Sequence, residues 1–127
     1  MANGQPIAGN TRTFIAGATI AAFSRVNLSS GELAAAGLTD ADEVGYVIED
    51  CVDQDAVAVV LRGASGTQTA VANQAISVGA LIYTAAAGKV SDTAASTSYP
   101  RGIALEAAGA DGDYIEILPI WDETAVS

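Results

Sequence analysis

The residues with the most chemical potential are acidic, and they are bunched. Seven of the fifteen Asp and Glu residues lie between positions 40 and 55: Asp40, Asp42, Glu43, Glu49, Asp50, Asp53 and Asp55. Carboxylates at that density could ligate a hard cation or work as an acid–base pair. A calcium loop, however, needs oxygen ligands at fixed offsets, a Gly for the sharp turn and a bidentate Glu at its end. Asp40-x-Asp42 and Asp53-x-Asp55 supply fragments of that pattern and nothing more. A carboxylate pair for glycoside hydrolysis is possible in any acidic chain, but rings to seat a sugar are scarce, with aromatics at 6%. The stretch reads as a solvated acidic face.

Nucleophilic chemistry fares no better. The chain has no histidine, which excludes a Ser-His-Asp triad, a Cys-His pair and imidazole metal ligation. Gly63-Ala64-Ser65-Gly66-Thr67 resembles a nucleophile elbow but lacks the final Gly and has no base. Cys51 is the sole cysteine, so there is no internal disulfide and no CxxC motif. Its acidic neighbours Asp50 and Asp53 raise a thiol pKa rather than lower it. Asn27-Leu28-Ser29 matches the N-glycosylation tripeptide, which is common by chance. These readings call for no enzyme activity, no cofactor and no metal.

Charge and hydropathy exclude two further classes. The net charge is −10 and the pI near 4.1, the reverse of what phosphate contacts need, so no nucleic-acid partner is expected. The longest fully apolar run, Ala56 to Leu61, falls far short of the ~20 residues of a membrane-spanning helix, and no membrane partner is expected. Phe14 to Phe23 is apolar enough to suggest a leader, but Ser24-Arg25 follows at once and no basic cluster precedes it.

The chain repeats itself. A shift of 57 residues lays Gly31 on Gly88, Leu33 on Val90, Gly45 on Gly102, Ile48 on Leu105, Glu49 on Glu106, Val60 on Ile117 and Leu61 on Leu118. A shift of 56 lays Ile15 on Val71, Ile20 on Ile76 and Val26 on Ile82. Each half runs from an apolar segment through a Gly turn to a short return, then Gly-hydrophobic-Glu, an acidic turn and a last strand. Short strands between turns at this spacing predict an all-β fold, a small β-sandwich or barrel of two pseudo-repeated units. Asp111-Gly112 marks a tight turn. Beyond it Ile115 and Ile117 face one way, and Tyr114, Glu116 and Leu118 the other. Ser29-x-x-Glu32 is a formal capping box for a short helix, but its counterpart, Gly88-Lys89-Val90-Ser91, reads as a hairpin return, which favours a strand.

Residues 1–13, with Gly4, Pro6 and Gly9 among polar neighbours, read as an extended, flexible N-terminal arm. Residues 14–127 read as one β domain, with pseudo-repeats over 14–62 and 70–119. Half the residues are apolar, but Ala dominates, and a small-residue core gains little per residue at roughly 25 cal/mol per Å². Burial against copies of itself or a partner would add to it. Trp121 reads as a core residue or cap over the barrel end, or alternatively as an interface anchor.

The run Ala72-Asn73-Gln74-Ala75-Ile76-Ser77-Val78-Gly79-Ala80-Leu81-Ile82-Tyr83-Thr84-Ala85-Ala86-Ala87-Gly88-Lys89-Val90 resembles a segment of the capsid decoration, or head cement, proteins of tailed bacteriophages. Gly102 to Gly109 and Asp113 to Ile117 continue the resemblance. The first half shares it through Val26, Gly45-Tyr46-Val47 and Val57 to Gly63. It covers roughly Phe14 to Leu118, and departs in the acidity of residues 40–55. It implies a non-enzymatic virion protein, usually a homotrimer, on the outer surface of the expanded head. There it would bind the major capsid protein and stabilise the capsid against internal DNA pressure. It also implies an arm that contacts the capsid, so Asn3, Pro6, Ile7 and Arg12, together with Trp121, are the candidate capsid or trimer contacts. The alternative is another phage tail or fibre component, or a surface glycan-binding β-module.

Overall fold

Each half of the chain folds into its own five-stranded sheet. A computed structural model describes residues 10–127. The first sheet contains β1 (Thr11–Ile15), β2 (Arg25–Ser29), β3 (Glu32–Ala35), β4 (Gly45–Val47) and β5 (Ala56–Leu61). The second contains β6 (Gln68–Val71), β7 (Leu81–Thr84), β8 (Val90–Ser91), β9 (Pro100–Ala104) and β10 (Tyr114–Pro119). The strand orders are β1-β5-β4-β2-β3 and β6-β10-β9-β7-β8. Adding five to each label of the first sheet generates the second, so the repeat extends to topology. The named strands pair antiparallel. Each sheet then curls until its first strand bridges its last, through Ala16 with Leu33 and Ala72 with Val90. The molecule is an all-β pair of small rolled sheets.

The two cores occupy equivalent positions. Ala16, Ile20, Val26, Leu33, Val47, Cys51, Val57 and Val59 are buried in the first half. Ala72, Ile76, Ile82, Val90, Ala104, Ala108, Ile115 and Ile117 are buried in the second. Alternation produces this: in β10, Ile115 and Ile117 are buried between exposed Tyr114, Glu116 and Leu118. Matching the cores also corrects the repeat at its end. Val57 and Val59 answer to Ile115 and Ile117, a shift of 58 rather than 57. The turn from Ala108 to Tyr114 carries one residue more than the turn from Cys51 to Ala56. Had the last strand kept the 57 shift, its side chains would face the wrong way, since a one-residue slip exchanges the faces of a strand.

Two local outcomes follow from turn and edge chemistry. Residues 32–35 form a strand, not a helix: Ser30 (φ 52°) and Gly31 (φ 83°) make a two-residue hairpin loop between paired Ser29 and Glu32, the primed-turn geometry that suits twisted strands. Residues 11–13, read from the sequence with the arm, lie in β1: Thr11, Arg12 and Thr13 pair with Val60, Val59 and Ala58. Strand β5 would otherwise expose an unpaired edge, and β-branched Thr11 and Thr13 suit the pleat. Asn3, Pro6 and Ile7 lie outside the described residues.

The halves meet through the hairpin tip of the second. Gly88 donates its N–H to the Ala36 carbonyl at 2.7 Å. A Cβ on Gly88 would stand 2.8 Å from Ser24 Cβ and 2.9 Å from the Arg25 carbonyl oxygen. Thr84 Oγ1 donates to the Leu38 carbonyl at 2.5 Å. Tyr46, from the first sheet, is buried within the second half's core, and Phe23 meets Tyr114 edge-on with ring centroids 5.1 Å apart.

Candidate functional site

The acidic stretch is divided by the fold into turn-builders and one buried charge. Asp40 accepts the Gly37 N–H at 2.7 Å, and Asp40 and Asp42 both accept from the Asn27 side-chain amide. Asp50 accepts the Ala22 N–H at 2.7 Å, and Asp55 accepts the Val52 N–H at 2.9 Å. Asp113, the counterpart of Asp55, accepts from Gly109 and Ala110 in the same way. Among the described residues no three of Asp, Glu, His and Cys gather as metal ligands. Cys51 is buried; burial pushes its thiol pKa up, as do Asp55, Glu49 and Asp50, against the hydrogen bond to Ile20.

Glu43 does something different. Positioned just before β4, it is fully buried between Arg25 of β2 and Arg101 of β9, whose side chains are equally inaccessible. Arg25 Nη1 donates to Oε2 at 2.6 Å. Arg101 grips both carboxylate oxygens, Nε to Oε2 at 2.8 Å and Nη2 to Oε1 at 2.9 Å. The remaining guanidinium donors find carbonyls. Arg25 donates to Lys89 and Ala85 of the second half and to Ala36 and Gly37 of the first. Arg101 donates to Pro100 and Asp122. Burial alone would raise the Glu43 pKa, but the Arg101 hydrogen bond and the two positive charges outweigh it and hold it below the ordinary value. A carboxylate so held has no proton to give and no room for a substrate. It clamps the two halves together.

Trp121 belongs to the same seam. It is half-buried, tilts against Tyr46 with centroids 5.9 Å apart, and lies beneath the Arg62 and Arg101 guanidiniums at 4.7 and 5.2 Å. Arg62 also pairs with Glu123 and donates to the carbonyls of Ala41 and Glu43. Arg12 stands apart, exposed on β1 and stacked over Phe14 at 4.8 Å. The structure therefore does not bring Arg12 and Trp121 together. Sequence reasoning missed Arg25 and Arg101 altogether. The available signal was a lone Arg among strand residues, in Ser24-Arg25-Val26 and Pro100-Arg101-Gly102-Ile103.

The family model for phage cement protein matches residues 7–119. Among solved structures, "head fiber gp8.5 N base in bacteriophage phi29" is similar, with a TM-score of 0.71 and 21% identity, over 90% of this chain and 96% of that one. At that identity the likeness speaks for the fold. No curated protein matches the chain.

Proposed function

The chain belongs to the phage cement protein family, and from that premise we propose that it binds the outside of the expanded head and holds neighbouring major capsid subunits together against the pressure of packaged DNA. Membership makes it a virion component of the capsid surface; the family match over residues 7–119 carries the reading. The finer parts rest on physical fit. Its work is mechanical rather than catalytic, since the buried carboxylate is a clamp and the other acids of the stretch build turns or face water. β1 is an edge strand of the first sheet, which suits an arm that reaches a neighbour through Asn3, Pro6 and Ile7, with Arg12 at its root. A homotrimer would present three such arms, and multivalent attachment makes weak individual contacts durable. Trp121, held in the seam, would shape a contact surface more than insert into a partner.

Co-sedimentation tests this. Purified protein mixed with expanded heads that lack it should pellet with them, and deletion of residues 1–9, which spares β1, should weaken the capture. Failure of the intact chain to pellet would overturn the reading. The alternative, a tail, fibre or glycan-binding module, expects capture by sugars and none by heads.

A further inference from the structure

The contact between the halves is not reciprocal, and it leaves one face of each kind unjoined. On the outer face of the first sheet, Arg25, Tyr46 and Val60 stand side by side across β2, β4 and β5. The second half covers this row: Gly88 of its hairpin tip closes on Arg25 and Ser24, its core and Trp121 pack on Tyr46, and both Arg25 and Tyr46 are buried. The equivalent row on the second sheet is Leu81, Ile103 and Leu118, paired in the same way across β7, β9 and β10. Its central Ile103 is half-buried, but its two ends are open. Leu81 is 51% exposed and Leu118 46%.

The tip shows the converse. Thr84 to Lys89 of the second half makes the contact, and its first-half counterpart, Leu28 to Glu32, does not. Leu28 is 42% exposed, and a Cβ on Gly31 would meet nothing within 4 Å among the described residues. An unused tip and an unused row therefore remain on one molecule, at the repeat positions of the two parts already joined inside it, although the free tip is a two-residue loop and the joined one a longer 3-10 turn over Ala86–Gly88.

We propose that the Leu28–Glu32 tip of one copy docks on the Leu81–Ile103–Leu118 row of a second copy, repeating between chains the contact that joins the halves within one. The chemistry at the equivalent positions agrees. Where the internal seam has Arg25, Glu43 and Arg101, the repeat places Leu81, Pro100 and, from the tip-bearing half of the other copy, Val44. The external seam is apolar at these three positions, where the internal one is ionic and a buried charge must be paired; Glu32 of the tip stands at the repeat position of Lys89, whose ammonium lies at the surface. An exposed apolar row of directly opposed side chains is a surface that calls for a cover. The contact is heterologous, tip to row, and builds a closed ring if the rotation closes and a filament if it does not. It stands independently of the capsid role.

Sedimentation velocity of the full chain over a concentration series tests it, with circular dichroism and thermal melts as fold controls. Wild-type protein should exceed the monomer mass. Leu81→Asp with Leu118→Asp, which spoils the row, should be monomeric, and so should Leu28→Asp, which spoils the tip. Mixed in equal amounts, the two variants should form a two-chain species and grow no further, because one intact tip and one intact row remain. Leu81→Ser with Leu118→Ser replaces the Asp pair if that pair melts early. A monomeric wild type, variants that associate as wild type does, or monomeric variants that ignore one another would each overturn the proposal.

Discussion

Glu43 is the carboxylate of the acidic stretch that the fold takes out of water, and two guanidiniums make that possible. Buried ion pairs of this kind add little against an apolar replacement, but removing one member strands the rest. Glu43→Gln leaves two buried cations facing a neutral amide, and should destabilise the fold by about 3–5 kcal/mol, read from denaturant melts. The pH dependence has a definite sign. Because the folded-state pKa of Glu43 lies below its ordinary value, its contribution is whole above the usual carboxylate range and is lost as pH falls through the folded value. Acid titration of the melting temperature should therefore be shallower in Glu43→Gln than in the wild type. Tyr46 invites the opposite experiment. Its hydroxyl is buried without a hydrogen-bond partner among the described residues, and burial drives its pKa above the ordinary tyrosine value. An unmade hydrogen bond costs roughly 1–3 kcal/mol, so Tyr46→Phe should melt at or above the wild-type temperature. None of this was legible in the sequence. Glu43 sits among six other acids with nothing local to distinguish it, and its partners lie 18 and 58 residues away.

At the scale of elements the chain is far more readable, because strand alternation and turn glycines are local. Ile115 and Ile117 point inward as their spacing dictates, and Gly31 and Gly112 take positive φ at the turns they mark. Gly45 and Gly102 coincide in the repeat for a reason the sequence does not state. A Cβ on Gly45 would lie 1.9 Å from the Val60 carbonyl oxygen, and one on Gly102 2.3 Å from that of Leu118. These positions let a neighbouring strand's backbone come within a distance that side chains forbid. Gly45→Ala and Gly102→Ala should each cost about 3 kcal/mol or more, the upper range of overpacking. Gly31→Ala has open space and carries only the left-handed backbone penalty, roughly 1–2 kcal/mol. Chemical denaturation of the three variants separates the two causes. The insertion before β10 escaped the sequence comparison because Val59-Val60-Leu61 and Ile117-Leu118 align plausibly in either register; only burial reveals which residues face inward. The strand at residues 11–13 is hidden for a related reason: pairing of Thr11 with Val60 spans 49 residues, and no local pattern announces it.

For the molecule as a whole, two small cores share a charged seam, and neither half is self-sufficient. The second core includes Tyr46 from the first half, and Arg25 reaches across to two carbonyls of the second. Unfolding should accordingly be a single transition. Trp121 is the sole tryptophan and sits in the seam, so its fluorescence reports seam opening while far-ultraviolet dichroism reports the sheets. The two melting curves should coincide, and a seam signal lost ahead of the sheets would show that the halves part before they melt. The triad has one more consequence, felt outside the fold. By enclosing two guanidiniums with one carboxylate, the molecule places more of its positive than of its negative charge beneath the surface, so its exposed groups are more uniformly acidic while the net charge stays −10. Like-charged particles repel over a Debye length of about 8 Å in physiological salt. Encounter between copies is therefore slowed by their own field and quickened by added electrolyte, the reverse of steered association. Any contact that joins copies must therefore act after they meet, in residence time rather than in arrival.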